Sequence, residues 1–223
     1  MKYILFDLDG TLLDFNTGEK NAFSDTIKYF SNYKVNDIEC KEFSKINEYY
    51  FNEYSKGNMD RKKFHYHRFD EIKKYLKLDF DPIKANEYYV NSLKYQAILY
   101  DDVIDILDYL FNKYILFVAS NGQTIVQNKR LETAGIDKYF KKYYISEDVG
   151  YNKPNEGFFN YIFDDLKDYK KEEYVIIGDR LDTDIFGGIN VGIKTIYINR
   201  FNISNDIKPD YEIKSLKELK NIL

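Results

Sequence analysis

Two aspartates, Asp7 and Asp9, stand two positions apart directly after a short apolar run at residues 2–6. In an extended chain such side chains point to opposite sides, but past a strand end the backbone can curl and bring both toward one centre. One carboxylate can attack phosphorus and form an acyl phosphate, which divides hydrolysis into two easier steps. The other can protonate the leaving oxygen and later deprotonate the attacking water. The pair predicts Asp7 as nucleophile and Asp9 as acid/base, although Asp9-Gly10 is also a common surface-turn pair.

Hydroxyl, amide and ammonium groups follow other apolar runs. Ser120, Asn121 and Gly122 offer a hydroxyl and backbone N–H groups at the start of a predicted helix, an arrangement that suits phosphate. Thr11 can donate a second hydroxyl, and Lys153 can neutralise a phosphoryl oxygen while holding the nucleophile ionised. Each also has an ordinary structural explanation: Ser120 or Asn121 can cap a helix, and Lys153 can lie in an exposed loop.

A second group of carboxylates follows the apolar run at residues 174–177: Asp179, Asp182 and Asp184. A few hard oxygen ligands of this kind suit Mg²⁺ that keeps waters and binds a substrate phosphate. Helix capping explains Asp182 or Asp184 equally well when either is taken alone. The conjunction carries the prediction, because a nucleophile, an acid/base, a hydroxyl, a cation and a metal ligand all follow strand ends, as phosphoryl transfer requires.

The elements that must position these residues alternate along the chain. Near-continuous apolar runs predict strands buried on both faces, and amphipathic segments between them predict helices. The predicted strands are residues 2–6, 114–118, 143–145, 174–177 and 195–198, and the predicted helices are 103–112, 123–134, 156–167, 182–190 and 215–223. This order predicts an α/β fold with a doubly wound, Rossmann-like parallel sheet. Ligands of such sheets bind at the carboxyl ends of the strands, where all the polar groups above fall.

Residues 16–98 interrupt the alternation. This region has no strong strand signal and carries apolar residues at helical spacing, for example Phe43 and Ile46, so we predict an inserted four-helix domain. The predicted core then comprises residues 1–15 and 99–223.

Five residues in or next to the predicted insertion could face the site: Phe15, Asn16, His65, His67 and Arg68. His65 and His67 are too isolated to indicate a metal centre, and a surface helix explains them better. Arg68 can meet a base or a phosphate, but the sequence does not orient its side chain.

Composition bounds the class of protein. The 223-residue chain has a net charge of -4, which gives no basic footprint and argues against a nucleic acid polymer as partner. No segment resembles a signal peptide or a membrane span, so we predict a cytoplasmic protein without a membrane partner. Cys40 is the only cysteine, which excludes an internal disulfide. We expect a monomer or a weak dimer.

Four motifs resemble those of the haloacid dehalogenase superfamily in its phosphatase branch: Asp7-Leu8-Asp9-Gly10-Thr11, Ser120-Asn121-Gly122, Lys153 before Pro154, and Gly178 to Asp184. The resemblance implies Mg²⁺ held by the carboxylates of Asp7 and Asp179 and by the main-chain carbonyl of Asp9. It implies that Asp184 orients a metal-bound water. It also implies that the helical insertion is a cap that closes over the site and reads the substrate.

A narrower resemblance, to the bacterial pyrimidine 5'-nucleotidases, rests on residues 127–135, 145–150, 153–155 and 187–190. It implies nucleoside monophosphates as the small phosphate ester substrates. Sugar-phosphate phosphatases, phosphoglycolate phosphatases and phosphomutases keep the same four motifs and stay open as alternatives. Dehalogenases of the superfamily typically lack the second acidic residue, so Asp9 argues against that activity. The intact motifs argue against a non-catalytic binding protein.

Overall fold

The computed structural model describes residues 1–204 and 206–223. The chain divides into two compact units, one formed by Met1–Asp14 with Ala97–Leu223 and the other by Phe15–Gln96. Among the described residues, the α-helices in chain order are α1 Phe15–Ser31, α2 Asp37–Ser55, α3 Arg61–Leu76, α4 Pro82–Leu93, α5 Val103–Phe111, α6 Thr124–Ala134, α7 Ser146–Val149, α8 Glu156–Leu166 and α9 Phe186–Val191. No helix in these described ranges is both long and apolar enough to span a bilayer. The cytoplasmic location stays a prediction.

The first unit is built on a six-stranded sheet in which every neighbouring pair is parallel. Its strands are β1 Tyr3–Phe6, β2 Ile115–Ser120, β3 Lys142–Ile145, β4 Tyr174–Gly178, β5 Lys194–Ile198 and β6 Tyr211–Ile213. Their spatial order is β3-β2-β1-β4-β5-β6. The predicted α/β doubly wound parallel sheet is therefore confirmed. The last strand was not predicted, because it has three residues and two of them are exposed, so it leaves no apolar run.

Both faces of this sheet are covered, which explains the continuous apolar runs. Along β1, Ile4 and Phe6 enter one hydrophobic core together with residues of α5 and α6, and Leu5 enters a second core with residues of α8 and α9. The predicted helix at residues 182–190 has two parts, a π-helical turn at Leu181–Ile185 and then α9. The segment predicted as a C-terminal helix is 3₁₀-helical over Leu216–Asn221.

The second unit consists of α1 to α4 around an aromatic core, in which the rings of Phe23 and Phe43 stack with centroids 4.1 Å apart. Arg68 is buried in this unit, and its guanidinium donates to Asn47 Oδ1 at 2.8 Å and to Asn86 Oδ1 at 2.6 Å. Asn47 donates in turn to the buried carboxylate of Glu19 at 2.6 Å. A buried charge requires such partners. The sequence left open whether Arg68 meets a base or a phosphate. In the structure its guanidinium is held by Asn47 and Asn86 instead.

Candidate active site

Three neighbouring strands place the central residues of the site. Ser120 is the last residue of β2, while Asp7 and Asp179 follow directly after β1 and β4. These strands are adjacent and parallel, so their carboxyl ends meet at one edge of the sheet. The N–H of Asp7 still donates to the carbonyl of Ile177 at 2.9 Å, which extends the β1–β4 ladder to the nucleophile position. The backbone beneath Asp7 is therefore rigidly held.

The ammonium of Lys153 is buried among oxygen atoms. It donates to Asp7 Oδ1 at 2.8 Å, to Asp184 Oδ1 at 2.6 Å and to the carbonyl of Ala119. A lysine has three N–H donors, so all of them are engaged. Burial by itself would lower the pKa of Lys153, but the attraction of Asp184 and Asp7 outweighs burial and raises this pKa. The side chain is therefore a permanent cation beside the predicted nucleophile.

Asn121 holds the segment that carries this lysine. Its Nδ2 donates to the main-chain carbonyl of Lys153 at 2.8 Å, and its Oδ1 accepts from the Lys153 N–H at 2.7 Å. Ser120, buried beside it, accepts at Oγ from Gln127 Nε2 at 2.8 Å. A β-carbon on Gly122 would overlap the Gln127 side chain, so the close approach requires glycine there. Asn121 was predicted to bind phosphate. In the structure its side chain instead holds the backbone of Lys153.

A carboxylate cluster lies at the same edge. One oxygen each of Asp7, Asp179 and Asp184 lies within 4.8 Å of the others. Burial, and then the charge of Asp184, raise the pKa of Asp7 to about 7, although Lys153 opposes this shift. Burial, followed by the charges of Asp7 and Asp184, raises the pKa of Asp179 well above its ordinary value. Crowded hard oxygens whose negative charges repel one another are the donor set that Mg²⁺ prefers, so these residues fit the metal.

The loop after β1 is shaped around this cluster. Thr11 Oγ1 lies 3.4 Å from Asp179 Oδ1, to which it donates. Gly10 has φ +83°, and a β-carbon there would overlap the carboxylate of Asp179. Only glycine meets both conditions without strain. Asp184, buried behind the loop after β4, also accepts from the N–H of Arg180 at 3.1 Å.

The carboxylate of Asp9 is held by two side chains of α6. Its Oδ2 accepts from Gln127 Nε2 at 2.7 Å, and its Oδ1 accepts from Arg130 Nη1. Sequence reasoning gave neither side chain a role at the site. Their spacing of three on the helix that follows Ser120 was the available signal, because such residues share a helix face.

Arg200 is a further residue that the sequence did not single out. It lies two positions after the end of β5. Its guanidinium donates to the carbonyl of Thr11 at 3.0 Å and to both oxygens of Asp102 at 2.9 and 3.0 Å. The hydroxyl of Ser215 also donates to Asp102, at 2.7 Å. This network connects the loop after β1 to the C-terminal segment. The position of Arg200 at the carboxyl end of a predicted strand was the only hint.

Together these residues supply the groups that metal-assisted transfer of an anionic group to a carboxylate would require. Asp7, the predicted nucleophile, contacts the ammonium of Lys153 and lies beside two further carboxylates, while the carboxylate of Asp9 is held by separate donors. A family model of haloacid dehalogenase-like hydrolases matches residues 4–198. The chain belongs to this family, as its four motifs predicted.

Full-length relatives are similar to this chain in sequence and structure. The pyrimidine 5'-nucleotidase PynA of Streptococcus pneumoniae is 32% identical over 232 residues, covering 100% of this chain and 97% of PynA. The pyrimidine 5'-nucleotidase YjjG of Escherichia coli is 28% identical over 225 residues, covering 99% and 97%. The crystal structure of the HAD-hydrolase YfnB of Bacillus subtilis bound to magnesium has a TM-score of 0.92 and 31% identity, covering 99% and 97%. The predicted resemblance to the bacterial pyrimidine 5'-nucleotidases is therefore confirmed as a similarity of sequence over the full length of the chain.

Proposed function

We propose that this protein is a Mg²⁺-dependent phosphatase that acts through an aspartyl phosphate on Asp7. The contact between Asp7 and the buried ammonium of Lys153, within a cluster of three carboxylates, carries the proposal. A carboxylate beside a fixed cation is held ready for attack on an electrophile that is itself negatively charged. Asp7, Asp179 and the main-chain carbonyl of Asp9 would hold the metal, and Asp184 would orient its water.

Two steps complete the proposed reaction. A carboxylate oxygen of Asp7 forms a bond to phosphorus as the bond to the leaving oxygen breaks, and Asp9 gives its proton to that oxygen. Water then attacks the phosphorus of the aspartyl phosphate, and Asp9 takes the proton back, so that inorganic phosphate leaves and Asp7 is regenerated. Ser120, Thr11 and backbone N–H groups bind the phosphoryl oxygens, and the positive charge of Lys153 offsets their negative charge. When bound, Mg²⁺ supplies positive charge that offsets the negative charge of the phosphate and the carboxylates.

The substrate class that we propose is the pyrimidine nucleoside monophosphates. The full-length similarity to two proteins named pyrimidine 5'-nucleotidases supports it, as do the sequence segments shared with that group. Sugar phosphates and phosphoglycolate are the alternatives, since phosphatases for them share the same motifs. Asp9 disfavours dehalogenation, because a halide leaves without a proton. The expected monomer or weak dimer, and the absence of a nucleic acid polymer as partner, stay predictions.

A phosphate-release assay with Mg²⁺ over UMP, dUMP, dTMP, sugar phosphates and phosphoglycolate tests the proposal. We expect turnover that is highest for the nucleotides and is lost on chelation of divalent metal. Asp7→Asn should abolish it, whereas Asp182→Asn should leave it unchanged, because Asp182 is exposed and pairs with Arg180 at 2.9 Å. Turnover that survives chelation or Asp7→Asn would overturn the mechanism, and preference for a sugar phosphate would overturn the substrate.

A further inference from the structure

The side chains of Gln127 and Arg130 are almost fully enclosed, with 2% and 1% of their surfaces exposed. Both donate to Asp9, Gln127 to Oδ2 and Arg130 to Oδ1. The two donors therefore approach different oxygens of one carboxylate, which restrains its rotation as well as its position. A single hydrogen bond would leave that rotation free.

The orientation of the Gln127 amide follows from the donor count. Arg130 carries only donors, so the atom that Gln127 turns toward it must be the oxygen Oε1, which accepts from Nη1 at 3.2 Å. The nitrogen Nε2 then faces Asp9 at 2.7 Å and Ser120 Oγ at 2.8 Å. Because the two hydrogens of Nε2 meet these two acceptors, the hydroxyl hydrogen of Ser120 is left to be donated elsewhere. One amide thus orients the acid/base and a phosphate-binding hydroxyl together.

We propose that Gln127 and Arg130 are positioning residues that align Asp9 for its two proton transfers, with Gln127 also orienting the hydroxyl of Ser120. The inference rests on the proposed function, since it assigns these residues to the acid/base step of that reaction. Both oxygens of Asp9 act as acceptors in the structure, as they do in the carboxylate form that takes a proton from water. Misplacing a catalytic group by about 1 Å can lower a rate about 100-fold, so the restraint has a measurable value.

The test exchanges the amide for a thioether of similar length, Gln127→Met, with Asn128→Met as matched control at an exposed position of the same helix. The probes are phenyl phosphate and p-nitrophenyl phosphate, which differ in how much their leaving oxygen needs a proton. Rapid quench separates formation of the aspartyl phosphate from its hydrolysis. We expect Gln127→Met to slow formation about 10- to 100-fold with phenyl phosphate and less with p-nitrophenyl phosphate. Hydrolysis should slow equally for both, because the intermediate is the same.

A double-mutant cycle distinguishes positioning from general damage. In an Asp9→Asn background, Gln127→Met should slow each step by clearly less than it does in the wild type, since the acid/base that it aligns is already disabled and only its effect through Ser120 is left. Rates of Gln127→Met that equal those of the wild type would overturn the inference, and so would losses that add to those of Asp9→Asn. Absence of phosphate release by the wild type, or activity unaffected by Asp7→Asn, would instead remove the proposed function.

A second variant keeps the test decisive if Gln127→Met does not fold. Gln127→Glu preserves size and shape but presents a carboxyl group to Asp9, which donates only when it is protonated. We expect its rate relative to the wild type to rise as the pH is lowered, because protonation restores one donor. A relative rate that is constant with pH would contradict the assignment, whereas a merely structural role predicts no such profile.

Discussion

Mg²⁺ should stabilise this protein progressively more as the pH is raised, because protons and metal compete for the same carboxylates. The perturbation is the addition of Mg²⁺ to protein freed of divalent metal, repeated between pH 5 and 8. Asp7 and Asp179 both have raised pKa values, chiefly through burial, and each must lose its proton to bind the metal.

The magnitude follows from the pKa of Asp7, which is about 7. At pH 5 about 99% of such a group is protonated, so the apparent affinity for Mg²⁺ falls about 100-fold below its limit, whereas at pH 8 it is nearly at that limit. Two pH units correspond to about 2.7 kcal/mol of binding free energy. The raised pKa of Asp179 acts in the same direction.

The stability of the metal-free protein should change in the opposite sense. A carboxyl group with a raised pKa binds its proton more strongly in the folded state, so its favourable contribution exists below the unfolded pKa and is lost as the pH rises through the folded pKa. For Asp7 this loss of stability falls between about pH 4 and pH 7, that is, between the ordinary pKa of 3.8 and the raised pKa of about 7. Mg²⁺ should recover the stability that is lost in this window.

Thermal unfolding with and without Mg²⁺, together with titration calorimetry at each pH, measures both effects. We expect the rise in melting temperature caused by Mg²⁺ to be small at pH 5 and large at pH 8. Asp179→Asn should abolish this response, and Asp182→Asn should retain it. A Mg²⁺ effect that is independent of pH, or greater at pH 5, would refute the reasoning.

Three further changes probe single features. Gly10→Ala should displace Asp179 and so remove the rise in melting temperature that Mg²⁺ causes. Gly150→Ala is the control, because Gly150 also has a positive φ, +85°, but has open space around it. It should lower the unfolding free energy by only about 1–2 kcal/mol and keep the response to Mg²⁺. Burial lowers the pKa of His65 to about 3, so the unfolded chain gains a proton first and stability falls between about pH 6.5 and 3. His65→Gln should flatten this acid limb in urea titrations, and an unchanged slope would contradict it. Lys153→Met should lower kcat about 100- to 1000-fold and the unfolding free energy by about 3–5 kcal/mol, because it leaves the buried carboxylates of Asp7 and Asp184 without their cation. Wild-type values in either assay would count against the role of Lys153 as that cation.

The strands of the sheet could be predicted because each core strand is buried on both faces and must be apolar throughout. Tyr174–Gly178 shows this clearly, since all five residues are buried. Residues 211–213 form a strand at the sheet edge with two exposed side chains, so no apolar run marks them. Local pattern therefore predicts buried strands better than exposed ones: β3 lies at the other edge of the sheet, yet its last two residues are buried and it was predicted.

Partnerships between side chains were harder to predict. The network of Glu19, Asn47, Arg68 and Asn86 draws on residues up to 67 positions apart, from Glu19 to Asn86, and no local pattern announces it. Asn121 was predicted to bind phosphate because it follows a strand, yet its side chain contacts the backbone of a residue 32 positions away. Each outcome depends on which segments the fold brings together.

The sequence by itself determined the chemical types at the sheet edge. A carboxylate pair after β1, a serine at the end of β2, a lysine in the loop before α8 and an acidic run after β4 indicate phosphoryl transfer before the tertiary structure is known. Only the tertiary structure decided how these groups share their hydrogen bonds: Lys153 between Asp7 and Asp184, and Asp9 between Gln127 and Arg130. The physical reason is that hydrogen bonding and desolvation depend on distances of a few ångströms between residues distant in the chain, which only packing sets.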